Sequence, residues 1–168
     1  NPRRPMVAVI GGAKVADKIA VLENLSGKND SMLIGGGMVA AFAAALGHSA
    51  GAASPTRDEI DQAGDLLNNK LANVMLPEDV ITASEFAEDA APTVHSLDSV
   101  PLDELILDIG PAAGVRFAGR IAGARTVIWN GPMGVCEWSS FATGTECVAT
   151  AIASNASATS VVGGGSTA

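Results

Sequence analysis

Basic residues are scarce in this chain: 10 Lys and Arg stand against 18 Asp and Glu, for a net charge of −8. That balance excludes general binding to nucleic acid or an anionic membrane, which needs a basic face. A phosphate ligand would have to be held by a few local lysines and by backbone dipoles. Cysteine is nearly absent as well. Cys136 and Cys147 fit no disulfide framework or metal site and suit a reducing compartment. His48 and His95 stand far apart, without metal-ligand spacing, and read as surface or loop histidines. Long hydrophobic runs are missing too: the longest, Met38 to Leu46, falls well short of the ~20 residues of a membrane span. The opening Asn1-Pro2-Arg3-Arg4 offers neither a starting Met nor an apolar signal segment, so a fragment of a longer chain is expected. Two nucleotide fingerprints are also lacking. No G-x-G-x-x-G follows the first apolar run, which weakens a hydride-transfer reading, and there is no G-x-x-x-x-G-K-[ST] loop.

What is present describes one globular α/β domain. At 168 residues, 48% hydrophobic and 17% charged, the chain is long enough for a real core and too apolar to be disordered. Val7-Ala8-Val9-Ile10 reads as a buried strand that breaks at Gly11-Gly12. Helical spacing follows, with Val15, Ile19, Leu22 and Leu25 on one face. A strand feeding a helix through glycines leaves N–H groups free for an anion. Lys14 and Lys18, one helical turn apart, could flank that anion. An ordinary turn with two solvated lysines fits this stretch equally well.

The same alternation continues along the chain. Strands are expected at Ser31–Ile34, Val74–Leu76, Val80–Thr82, Leu105–Ile109, Thr126–Trp129 and Thr159–Val162. Helices are expected at Met38–Leu46, at 58–72 with Ile60, Ala63, Leu67 and Leu71 inward, at Ala113–Ala122 and at Thr143–Ala153. Thr56 is placed to cap the second of these. Between Ser84 and Pro101 the text is an acidic loop with one short strand near Val94. Glu78-Asp79 and Glu88-Asp89 read as solvated loop acids. Strand, turn and helix in succession predict a three-layer, Rossmann-like domain with a parallel sheet of about six strands. Ligands of such sheets bind outside the carboxyl ends of the strands. Those ends carry Gly11-Gly12, Gly35 to Gly37, Gly110-Pro111, Asn130-Gly131-Pro132 and Gly163 to Gly165. Asn130 offers both a donor and an acceptor to a phosphate or sugar, though a capping Asn in a tight turn looks the same. Cys136, beside a glycine turn but with no nearby His, reads as a small buried residue.

Five of these stretches, in order, carry a resemblance. Val9-Ile10-Gly11-Gly12-Ala13-Lys14-Val15 with Asp17-Lys18-Ile19, Leu33-Ile34-Gly35-Gly36-Gly37-Met38, Leu107-Asp108-Ile109-Gly110-Pro111, Trp129 to Val135, and Val161-Val162-Gly163-Gly164-Gly165 resemble the nucleotide-binding, C-terminal half of phosphoglycerate kinases. The likeness runs over residues 1–168. It implies phosphoryl transfer between 1,3-bisphosphoglycerate and ADP, giving 3-phosphoglycerate and ATP, with Mg²⁺ accompanying the nucleotide. By that resemblance Lys14 is the catalytic residue, balancing charge on the transferring phosphoryl group. Lys18 and Asn130 contact nucleotide phosphates, and Glu137 binds the ribose. Gly12, Ala13, Gly35, Gly36, Phe86, Leu107 and Val135 line the adenine slot, and Gly164, Gly165, Ser166 and Thr167 form the last nucleotide-binding motif. Such chemistry is mostly positioning and electrostatics.

The resemblance also implies a cytoplasmic monomer with no nucleic-acid or membrane partner. The N-terminal 3-phosphoglycerate domain and the segment after the last glycine run are absent, so this chain alone is expected not to turn over substrate. Three residues depart from the family pattern. Ser166 stands where an Asp serves the nucleotide's magnesium, by replacement or by deletion with a one-residue shift, and a hydroxyl is a weaker ligand for a hard cation. Ile106 stands where Gly is usual in the adenine slot, and Cys136 where Phe is usual. These departures support an alternative, a noncatalytic module that keeps the fold with an impaired Mg-nucleotide site. A Rossmann-type oxidoreductase lacks its fingerprint.

Overall fold

A run of five apolar residues, Met6–Ile10, forms β1, and every one of them is buried. The computed structural model describes residues 2–69 and 73–165. In it, β1 is the central strand of a five-stranded sheet. On one side it pairs in parallel with β2 (Ser31–Ile34), which pairs with β3 (Val74–Met75). On the other side it pairs with β7 (Thr126–Asn130), which pairs with β8 (Thr159–Gly163). The order is β3-β2-β1-β7-β8. The chain winds outward from β1 in one direction and then returns to wind in the other. The direction of winding therefore switches between β1 and β7, which leaves a crevice at their carboxyl ends.

The fold class is the expected one, with five parallel strands instead of about six. The apolar strand β6 (Leu105–Ile109) belongs elsewhere. It pairs antiparallel with β4 (Asp79–Ala83), which pairs antiparallel with β5 (Thr93–Ser96), giving a small second sheet. A buried apolar strand looks alike in either setting, because periodicity reports burial and not the partner's direction. Burial on both faces holds for β1 and β2 but not for β8, whose Thr159 to Val162 are exposed.

Alternation along β1 divides the core. Ala8 and Ile10 face Leu22, Val39, Phe42 and Ala63, from α1 (Ile19–Leu25), α2 (Val39–Ala45) and α3 (Arg57–Asn68). Val7 and Val9 face Phe117, Ile121 and Val148, from α4 (Pro111–Ala122) and α5 (Thr143–Ser154). Each large side chain buried this way contributes roughly 1.5–3 kcal/mol of transfer free energy. A third cluster, with Ile81, Leu107 and Phe141, holds the small sheet to the loop after β7. Among the described residues no helix is long and apolar enough to cross a membrane.

Local sequence accounts for the start of α3 and in part for that of α4. Thr56 Oγ1 accepts from Glu59 N at 3.2 Å, while the Glu59 carboxylate accepts from Thr56 N at 2.9 Å, a complete capping box. These contacts hold the Glu59 carboxyl below its usual range, with the Thr56 backbone N–H the main cause and Lys14 adding a smaller pull. α3 ends at Asn68, short of the expected 72, and Leu71 lies outside the described residues. α4 starts with Pro at its first position. Its next N–H groups, of Ala112 and Ala113, donate to the Asp79 carboxylate at 3.0 and 2.7 Å. Asp79 is therefore not a solvated loop acid: it lies on β4 and caps a helix far away in sequence. His95 likewise lies on β5, half-buried, with Nε2 3.1 Å from Glu104 Oε2.

Candidate functional site

Three glycine turns meet backbone to backbone above the crevice between β1 and β7. Gly11 N donates to Asn130 O at 2.9 Å, Gly36 N to Met133 O at 2.8 Å and Met38 N to Gly12 O at 3.1 Å. A Cβ on Gly11 would lie 1.9 Å from Pro132 O, and one on Gly36 would lie 2.4 Å from Gly12 O. Gly36 also has φ +77°, a left-handed conformation that side chains disfavour. The glycines thus allow the loops to interlock, and Gly35 serves the same packing against Met133 instead of facing solvent.

Beside this junction opens a cleft of about 390 Å³. Its walls include Gly12, Ala13 and Gly36 from the first two turns, Leu107 from β6, Val135 and Glu137 from the loop after β7, and Phe86 from the loop after β4. All seven are residues that the family resemblance implies for nucleotide binding. Gly37, Ala40, Ala53, Leu105, Ile106, Pro132 and Gly134 complete it. Glu137 is its single ionisable side chain, and the rest is apolar or small. Spacing along the chain could not reveal Ala40 and Ala53, which reach the wall only through the packing of α2 and the loop before α3. Ile106 does line the wall, and its side chain is buried.

The polar residues sit around this cleft. Lys18 Nζ donates to Asn130 Oδ1 at 2.6 Å, so the two groups meet across the switch between β1 and β7. Lys14 is exposed and lines a neighbouring cavity of about 140 Å³ together with Glu59, Ser54 and Pro55. The two lysines do not share a helix face. The chain makes a turn over residues 15–18, with Lys18 N donating to Val15 O at 2.9 Å, and α1 begins only at Ile19. The helix therefore does not start at the glycines, and its first N–H groups are not the anion cradle that periodicity suggested. Gly163, at the end of β8, is in register with Asn130, and Gly164 and Gly165 follow it, exposed. Ser166 and Thr167 lie outside the described residues. Gly110-Pro111 does not join this group. It starts α4 and lines a different, apolar cavity with Ile81, Val94 and Cys147.

Behind the cleft wall lies a residue whose role the sequence did not signal. Asp108, 1% exposed, follows the wall residue Leu107. Its carboxyl accepts from Gly144 N and Ile109 N, both at 2.8 Å, tying β6 to the start of α5. Burial pushes its pKa up to about 7; the two N–H donors oppose the shift and the charge of Glu146 adds to it. Leu107 O accepts from Val135 N at 2.9 Å, so the same strand carries the loop that presents Glu137. Cys136 in that loop is half-buried, and burial together with Glu137 raises its thiol pKa, which leaves it a poor nucleophile. Among the described residues no group of three His, Cys, Asp or Glu is placed to hold a metal ion.

Comparison with known proteins gives a consistent result. The family model for phosphoglycerate kinase matches residues 1–168. A phosphoglycerate kinase of Listeria welshimeri is 48% identical over 168 residues, which is all of this chain and 42% of that protein. One from Staphylococcus haemolyticus is 45% identical over the same length and share. The structure of phosphoglycerate kinase from Coxiella burnetii superimposes with a TM-score of 0.93 at 42% identity, covering 99% of this chain and 44% of that one. The phosphoglycerate kinase structure from Pyrococcus horikoshii gives 0.74 at 30% identity, covering 97% of this chain and 42% of that one. The chain thus spans about 42% of the length of the curated relatives it matches.

Proposed function

The chain belongs to the phosphoglycerate kinase family, and from that premise we propose that it is the nucleotide-binding part of a cytoplasmic glycolytic enzyme. The full protein would move a phosphoryl group between 1,3-bisphosphoglycerate and ADP. The observation that supports this most directly is the cleft itself. Residues from seven separate segments form one apolar slot with a single carboxylate, beside a lysine held at the switch point. An apolar slot with one polar group suits a base and its ribose. In this reading the base lies against Leu107, Val135 and Phe86, and Glu137 accepts from the ribose hydroxyls. Lys18 and Asn130 take the phosphates, and Lys14, exposed beside the slot, neutralises charge on the group in flight. Magnesium would arrive with the nucleotide and offset phosphate charge. The acyl-phosphate substrate would be held by the other part of the full-length protein, and this chain alone would bind nucleotide without turnover.

Calorimetric titration of the chain with ADP, with and without Mg²⁺, tests this. Saturable binding is expected, and Lys18→Ala should weaken it about tenfold or more, since a charge-assisted contact to phosphate is lost. Unchanged affinity in that variant would remove Lys18 from the phosphate site. A second reading, a noncatalytic module of the same fold, draws support from Ile106, a branched residue in the slot wall. No ADP binding by the folded chain would favour it. Binding indifferent to Mg²⁺ would mean that the pocket is kept and the metal function lost.

A further inference from the structure

Phe86 lines the cleft yet is 64% exposed, on the loop between β4 and β5. A loop phenyl in water samples several rotamers and makes a poor wall unless something holds it. Its ring partner among the described residues is Trp138, with centroids 4.5 Å apart and planes at 53°. Trp138 in turn meets the edge of Phe141, at 6.3 Å, and Phe141 is fully buried. The backbone of Trp138 is fixed as well: its N–H donates to Val135 O at 3.0 Å, and its carbonyl accepts from Phe141 N at 2.9 Å. Trp138 is not part of the cleft lining. It is a half-buried strut between an exposed wall residue and the core.

From this stack, and resting on the nucleotide-binding reading above, we infer that Trp138 is a positioning residue for the base end of the cleft. It orients Phe86 against the nucleobase without touching the nucleotide. Aromatic pairs of this geometry favour one arrangement of the ring over its alternatives, so Trp138 acts on the base and not on the phosphates. Lys18 and Asn130 lie outside the cleft lining, and their contact does not involve the aromatic stack.

The test is calorimetry of the chain and its Trp138→Ala, Trp138→Phe, Phe86→Ala and Phe86→Ala/Trp138→Ala variants with ADP, adenosine and pyrophosphate. Trp129 remains in every variant to report folding by fluorescence. Trp138→Ala should lower the affinity for ADP and adenosine three- to tenfold and leave pyrophosphate unchanged. Trp138→Phe, which keeps a ring, should recover most of the loss, and the double variant should lose no more than Phe86→Ala alone. An equal loss for pyrophosphate, additive losses in the double variant, or unchanged adenosine affinity in Trp138→Ala would overturn the inference. If Trp138→Ala fails to fold, a Trp138→Phe variant with a full tenfold loss of adenosine affinity would also overturn it. Failure of the unmodified chain to bind ADP would overturn the nucleotide reading itself, a result read before any variant is compared.

Discussion

Gly36 shows how much a single position can carry. Its φ of +77° and the 2.4 Å that a Cβ would have to Gly12 O leave no room for alanine. Gly36→Ala should cost roughly 2–4 kcal/mol and lower the thermal midpoint markedly, as differential scanning calorimetry would read. The glycine runs were legible as turns, and Gly12 and Gly36 stand in the wall of the cleft. The lysines were less legible. Helical spacing placed Lys14 and Lys18 side by side, whereas the turn at 15–18 sends Lys18 to Asn130 and leaves Lys14 beside Glu59. The reason is local. A seven-residue helix has little propensity of its own to extend backward, and the interlocked glycine loops fix where it can begin.

At the scale of elements, helix starts are the clearest case. α3 carries its own signal in Thr56 and Glu59, and Thr56→Ala should destabilise the fold by about 1 kcal/mol in a denaturant titration. α4 carries only half of its signal locally. Pro111 marks its first residue, but its cap is Asp79, about thirty residues earlier on another strand. Asp79→Ala should therefore cost at least as much as Thr56→Ala, about 1–2 kcal/mol, because two N–H groups lose a charged acceptor. A larger loss for Thr56→Ala in the same titration would contradict this. The small sheet was also only half legible. All three of its strands were visible in the sequence, but β6 was expected in the parallel sheet. Its pairing with β4 depends on chain reversal between them, which apolar content does not encode.

At the scale of the molecule, stability should depend on pH through Asp108. Its pKa is raised from the usual 3.8 to about 7, so between these values the native state holds a proton that the unfolded chain has released. Its contribution is fully present below pH 3.8 and is lost as pH rises through 7. The thermal midpoint should fall by several degrees between pH 5 and 8. In Asp108→Asn it should be lower but flat over the same range, because the amide cannot ionise and keeps one acceptor for two N–H donors. A parallel fall in both proteins would assign the effect to other groups. Asp30 acts in the opposite sense at acid pH. The Met6 N–H and Arg4 hold its carboxyl below the usual range, so its contribution is lost as pH falls through that lowered value.

The sequence by itself determined the class of the fold, the succession of its elements, the glycine turns around the cleft and Thr56 as the cap of α3. Each of these is written within a few neighbouring residues, as periodicity, glycine or a short motif. The tertiary structure alone decided which sheet β6 joins, that β8 is an exposed edge, that Asp79 and Asp108 serve as helix-end acceptors, and that Lys18 reaches Asn130. These are contacts between segments distant along the chain. Their energies come from burial and from satisfying backbone N–H groups in three dimensions, and one segment's pattern does not specify which distant segment will meet it.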